Sequence, residues 1–166
     1  WNSPEDIKVK PFYDASDLPK SFPLATKASE FKICQNIFVF DIEKSIERAL
    51  DTLNRGAESL RFTIENEAVA IDTLLEKLPL EKITVYFHLR FISIDFVKKI
   101  DAIAKQRNAT IFCNLDPIGQ LAKDGNWFST SEKNNFETLS KLSKETSNVS
   151  LISIDGSLYQ NAGANM

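Results

Sequence analysis

Imidazole is nearly absent from this chain: His88 is the one histidine among 166 residues. Thiols are scarce too, with only Cys34 and Cys113, far apart in sequence. No Cys/His cluster has metal-ligand spacing, which argues against a structural zinc site. Neither a G-x-G-x-x-G nor a G-x-x-x-x-G-K-[ST] pattern occurs, which disfavours those two modes of nucleotide binding. Six prolines and five glycines are too few for a low-complexity protein. No apolar run reaches the roughly 18 residues that a membrane-spanning helix needs, and no basic-then-apolar signal segment opens the chain. Basic excess is lacking as well. The formal net charge is −3 and the pI about 5.3, which argues against a general nucleic-acid or membrane-surface binder.

What remains is ordinary globular composition, 43% hydrophobic and 26% charged, and length enough to bury a core. Both cysteines sit in apolar, strand-like stretches and read as buried thiols of a reducing, cytoplasmic compartment. Residues 1–32 form an extended lead with Pro4, Pro11, Pro19 and Pro23. Its aromatics Phe12, Tyr13, Phe22 and Phe31 suggest an arm that packs on something, because disordered tails are poorer in aromatics. The chain starts at Trp1 and stops at Asn165-Met166 after a glycine-bearing loop, so both ends are expected to be cut.

From residue 33 onward, apolar runs alternate with helical periodicity. Strands are expected at 33–40, 59–64, 83–89, 109–115 and 149–154. Between the first two, Asp41 caps a helix carrying Ile42, Ile46, Ala49, Leu50 and Leu53 on one face, closed by Asn54-Arg55-Gly56. The next helix spans 67–78 and stops at Pro79. Ser93 caps a third, with Ile94, Val97, Ile100, Ile103 and Ala104 inward, ending at Asn108. Residues 116–130 read as a long loop. Ser131 opens a fourth helix with Phe136, Leu139 and Leu142 inward. Alternation at this period predicts right-handed βαβ crossovers and a parallel sheet. Near-continuous apolar strands fit a sheet covered on both faces. Two architectures fit: an open doubly wound sheet, or the first five units of a parallel (β/α)8 TIM-type barrel, here residues 33–166, whose complete form needs about 250 residues. The cut ends favour the truncated barrel. Five units would leave two unpaired edges, so the fragment is expected to self-associate or to be covered by another chain.

In either architecture, ligands bind at the strand exits: Gln35 and Asn36, Glu65 and Asn66, His88 and Arg90, Asn114 and Asp116, and Asp155 to Asn161. A catalytic histidine needs a proton partner and an orienting group; the sequence shows neither for His88, which reads as structural. Asp116-Pro117-Ile118-Gly119 reads as a rigid turn with Gly119 free to be left-handed, forming a wall of the site. Glu65 and Glu67 read as a helix N-terminal charge pattern. Past the last strand, Asp155 to Ala164 places small and amide residues where ligands usually sit.

Ile152-Ser153-Ile154-Asp155-Gly156-Ser157-Leu158-Tyr159-Gln160-Asn161-Ala162-Gly163-Ala164 resembles a segment of the adenosylcobalamin-dependent methylmalonyl-CoA mutases. Their catalytic chains carry Ile-Ser-Ile-Ser-Gly-Tyr-His-Met-Gln-Glu-Ala-Gly-Ala at a barrel-strand exit. Aligned without gaps, the family's Gly falls on Gly156, its Gln on Gln160 and its Ala-Gly-Ala on Ala162-Gly163-Ala164. Its Tyr-His pair, which touches the substrate thioester region, falls on Ser157-Leu158, and its Glu falls on Asn161. Pro4 to Leu18 resembles the family's N-terminal arm. The acyl-CoA element Trp-Thr-Ile-Arg-Gln-Tyr corresponds to Phe31-Lys32-Ile33-Cys34-Gln35-Asn36, where only Ile33 and Gln35 persist and Cys34 replaces the Arg. The family's Tyr-x-Thr-Met element is not found upstream.

The whole pattern is most similar to the small subunits of heterodimeric methylmalonyl-CoA mutases. The resemblance implies a barrel that is catalytically silent and pairs with a large subunit. That large subunit holds the adenosylcobalamin and interconverts methylmalonyl-CoA and succinyl-CoA; no cofactor is expected on this chain. No catalytic residue is implied, only a vestigial pocket drawn from Cys34, Gln35, His88, Asp116, Gly119, Gly156, Gln160, Asn161 and Gly163. Losing one contact at a transition state can cost about a hundredfold, so losing the Tyr-His pair and the Arg together implies no turnover. The alternative is an unrelated βα-barrel or open-sheet domain that binds a small molecule.

Overall fold

In a computed structural model, the described residues are 1–4, 6–18, 31–129 and 131–163. Pro19, Phe22 and Pro23 of the expected arm, and Ala164, Asn165 and Met166 beyond the final loop, lie outside them.

Five strands form one all-parallel sheet in chain order: β1 (Cys34–Phe38), β2 (Ser59–Ile64), β3 (Thr84–Leu89), β4 (Thr110–Cys113) and β5 (Val149–Ser150). The linking helices are α1 (Ile42–Asn54), α2 (Ile71–Glu76), α3 (Ile94–Arg107), α4 (Pro117–Asp124) and α5 (Glu132–Glu145), with α6 (Gly156–Asn161) after β5. A doubly wound sheet reverses its strand order at a switch point. This sheet has no reversal among the described residues. Crossovers of one hand then place successive helices on one face, and the helices do touch in sequence, α1 on α2, α2 on α3 and α3 on α5.

The core lies between that helical layer and one face of the sheet. Residues that alternate along a strand share a face, and the register aligns them into rows. Ile37, Phe62 and Phe87 form one such row, and Leu60, Val85 and Ile111 another. Phe62 and Phe87 are fully buried and their rings lie 6.0 Å apart. Burying one such side chain stabilises the fold by about 1.5–3 kcal/mol. The other face of the sheet holds Arg61, Thr63, Tyr86, His88, Phe112 and Asn114, all half-buried. The expectation of strands covered on both faces is therefore corrected: the strands alternate, because among the described residues only one face has a helical cover.

Expected caps are present. Asp41, Ser93 and Ser131 accept from the backbone N–H of Lys44, Phe96 and Asn134 at 2.9, 3.4 and 3.3 Å. Asn108 closes α3 in the left-handed region at φ 47°. Other expectations change. α2 starts at Ile71 rather than 67, because the Asn66 side chain accepts from Ala68 N–H at 3.1 Å and holds a turn there. Glu67 is thus outside that helix, and Glu65 instead pairs with Arg90 at 3.5 Å. The 116–130 loop contains α4. β5 shrinks to two residues, the ladder on β4 ending at Ser150. Phe136 turns out exposed and meets the edge of Trp127, while Leu139 and Leu142 are buried. Cys113 is buried, which pushes its thiol up to about 12, but Cys34 is exposed. It starts an edge strand and alternates onto the side away from the helices.

The turn before β5 is tied to α3 by one carboxylate. Asp101 Oδ1 accepts from the N–H of Ser147 and Asn148 at 3.1 and 2.7 Å, and its Oδ2 accepts from Asn148 Nδ2 at 2.9 Å. At the other end of the chain, the described residues up to 18 hold local structure: Asn2 bridges Lys8, and Ala15–Asp17 make a capped 3-10 turn against which Lys10 pairs with Asp17. Trp1 and Phe12 there are 78% and 75% exposed.

Both outer strands are open among the described residues, β1 beside Phe38 and Phe40 and β5 beside Ile152 and Ile154, all exposed. Open apolar edges template further pairing. A light-scattering dilution series on the 166-residue chain is expected to show reversible association. A monodisperse monomer at every concentration would count against it.

Candidate functional site

At the C-terminal ends of β3 and β4, a cleft of about 430 Å³ opens between α4 and α6. The strand register builds its floor. Thr84 aligns with Thr110, so His88 and Asn114, four residues on, stand side by side on the half-buried face. Asn114 Nδ2 lies 3.1 Å from His88 Nδ1. An amide N–H₂ can only donate, so Nδ1 accepts and the imidazole proton resides on Nε2. Asn114 Oδ1 accepts in turn from Ser153 Oγ at 3.0 Å. The orienting group for His88, invisible as a motif, is the residue that follows the adjacent strand β4.

α4 supplies one wall. Asp116 caps it, accepting from Gly119 N–H at 2.9 Å, and Pro117 occupies the first turn. Pro there costs no hydrogen bond because that N–H has no helical partner. The expected rigid turn is therefore a helix start. Gly119 is helical; the left-handed residue is Gly125, at φ 72°, which ends α4. Gly119 has another use. A Cβ on it would lie 2.4 Å from Asp116 Oδ2, so the capping carboxylate occupies the space of a side chain. Gln120 and Lys123 follow on the cleft side.

The other wall is α6. Asp155 caps it, accepting from Ser157 N–H and Oγ at 3.0 and 2.7 Å, and pairs with Arg61 of β2 at 3.7 Å. The Ser157 hydrogen bonds, with smaller help from Arg61 and His88, hold the Asp155 carboxyl below its ordinary pKa. Burial first, then the Lys123, Arg90 and Arg61 charges, hold His88 below the ordinary imidazole value against the pull of Asp155. The imidazole is a neutral donor at pH 7, without a carboxylate partner of the kind a general base uses.

The cleft unites His88, Asp116, Gly119, Ser157, Leu158 and Asn161 from the sequence reading. Cys34 and Gln35 stand elsewhere, at the opening of β1 and so at the opposite end of the sheet, with Gln35 turned toward Lys44, Glu47 and Arg48 of α1. Gly156, Gln160 and Gly163 lie outside the lining. Gly163 has φ 92°, a conformation that favours glycine, whereas a Cβ on Gly156 would meet nothing. The sequence reading missed Asn114 as the partner of His88, and missed Gln120, Lys123 and Phe128 in the lining. Asp-Pro followed by Gly125 is a helix start-and-stop signal that could have revealed α4 and with it Lys123.

No family model matches the chain. A relative does. Over 87 residues it is 32% identical to the methylmalonyl-CoA mutase small subunit of Porphyromonas gingivalis (strain ATCC BAA-308 / W83). The match covers 45% of this chain and spans 14% of that protein's length. Among the described residues no three His, Cys, Asp or Glu side chains are grouped to hold a metal ion, and no helix is long and apolar enough to cross a membrane.

Gly119→Ala is expected to displace the Asp116 cap and to destabilise the fold by about 0.5–2 kcal/mol, the usual cost of a lost N-cap, read as a lower urea midpoint. The His88 shift has a definite sign. Its folded pKa is depressed, so its contribution is fully present above the unfolded imidazole value of about 6.5. It is lost as pH falls through that value toward the folded one. Wild type should therefore lose stability relative to His88→Gln as pH falls below about 6.5; parallel curves for the two proteins would contradict the assignment.

Proposed function

We propose that this chain is a non-catalytic small-subunit partner in an adenosylcobalamin-dependent methylmalonyl-CoA mutase, and that its sheet belongs to a (β/α)8 barrel. The observation that carries the reading is the match to a mutase small subunit together with what lines the cleft. Where the mutases place a Tyr-His pair, Ser157 is spent on Asp155 and Leu158 presents only hydrocarbon. Neither side chain can polarise a thioester carbonyl. His88 enters the same cleft from β3 rather than from the position of that pair, and it has no carboxylate beside Nδ1 to make it a general base.

The sequential strand order supports the barrel, because a sheet with helices on one face closes on itself to bury the other. That second face then becomes the barrel interior. Arg61, Tyr86 and Phe112 share one row across it, the two rings stacked 5.1 Å apart. Barrel interiors filled by bulky layers are packed cores rather than channels. A filled interior suits a chain whose task is structural and offers little room for a long acyl-CoA arm.

The residues present do not fit adenosylcobalamin. The cleft, at about 430 Å³, has the size of a small-molecule site, well short of a corrin with its nucleotide tail and adenosyl group. In this reading the cofactor and the chemistry belong to the large subunit, and this chain contributes surface and stability through its barrel and its aromatic arm.

Full-length protein is expected to co-purify with a mutase large subunit. The isolated small chain, supplied with adenosylcobalamin and methylmalonyl-CoA, is expected to show no turnover. Turnover by the small chain alone would reject the non-catalytic assignment, and failure to bind any mutase large subunit would reject the partnership.

A further inference from the structure

We propose that the cleft between α4 and α6 binds a compact oxyanion, the carboxylate or phosphate of a small metabolite, with Lys123 as counter-ion and the His88 Nε2–H as donor. The inference does not rest on the partner-subunit reading, which concerns pairing with a large subunit.

The charges around the cleft are unevenly engaged. Arg61 pairs with Asp155 at 3.7 Å, and Arg90 pairs with Glu65 and Asp124, both at 3.5 Å. Lys123 lines the cleft and has no ion pair among the described residues. The two carboxylates in the lining are turned to their own helices: Asp116 accepts from Gly119 N–H and Asp155 from Ser157. They are poor partners for a ligand cation and only partly offset the positive field. At His88 the Lys123, Arg90 and Arg61 charges act together against Asp155 alone.

The imidazole is also set up to donate. Asn114 occupies Nδ1, which leaves the proton on Nε2, in a ring that lines the same space as Lys123. A donor and a free ammonium in one cleft match an oxyanion better than a cation or an apolar ligand. One cation and one neutral donor point to a compact anion rather than a polyphosphate.

Protonating His88 would add a second positive charge to the cleft. Anion binding and His88 protonation are therefore linked, and the linkage is reciprocal: the anion tightens as pH falls, and the bound anion raises the His88 pKa. The groups facing the ring from neighbouring elements are Lys123 on α4, Arg61 on β2, Arg90 after β3 and Asp155 at the start of α6.

Because His88 is the only histidine, its imidazole resonances can be followed by NMR without assignment ambiguity. The titration is run in chloride, then with acetate and then with phosphate at matched ionic strength, on wild type and on Lys123→Gln, an exposed position where folding should be undisturbed. The His88 midpoint is expected to move to higher pH with one or both oxyanions. The Lys123→Gln variant should bind the effective anion about tenfold more weakly, the usual worth of a charged hydrogen bond. A shift with acetate alone assigns the site to carboxylates, and one with phosphate alone to phosphates. Midpoints unmoved by either anion, or moved equally in Lys123→Gln, would overturn the proposal. Either result leaves co-purification with a large subunit untouched, so the two ideas fail separately.

Discussion

The structure depends on parallel register held constant across the sheet. Once Ile37, Phe62 and Phe87 lie level, each strand presents the same alternate residues to the helices, and a one-residue slip would exchange the faces. Such a slip would carry Phe62 out of the core and bring Arg61 into it. Burial of the first set and solvation of the second therefore fix the register together. The same register sets His88 beside Asn114 and Tyr86 beside Phe112, pairs that follow from the core's alignment without any local signal of their own.

That dependence explains what could be read from the chain and what could not. The strands β2 to β4 and helices α1, α3 and α5 were legible because their apolar periodicity and capping residues agree. Asp41, Ser93 and Ser131 each stand where a cap is expected and each accepts a backbone N–H. α4 was missed because its eight residues include Pro117 and Gly119, which suggest a turn until Asp116 is recognised as the cap and Gly119 as the residue that makes room for its carboxylate. The exposure of Cys34 is a tertiary fact: apolar flanking residues suggest burial, but an edge strand in a singly covered sheet exposes half its side chains.

The candidate site was legible only in part for a related reason. Asp116, Gly119 and the residues after Asp155 converge because they follow strand ends, where a parallel sheet gathers its loops. Cys34 and Gln35 failed to converge because β1 begins at Cys34 and so puts them at the entry of the strand. Local resemblance assigned them to a pocket that strand polarity places at the other end of the sheet. Lys123 emerged only with α4. The cleft is thus a product of two helix starts, each held by an aspartate that bends back on its own chain and leaves the open positions to a lysine and a histidine.

The tie from Asp101 to the turn before β5 has a consequence for how this molecule comes apart. Two ladder residues hold β5 to β4 and one carboxylate of α3 holds the turn before it, whereas β2 and β3 pair over six residues. Segments with few buried contacts and short ladders open well below the free energy of global unfolding. By this criterion the wall of the cleft built on α6 belongs to a unit less firmly held than the central strands. Exposure of the His88 floor is governed by this local opening, a fraying of the last unit that leaves the central strands intact.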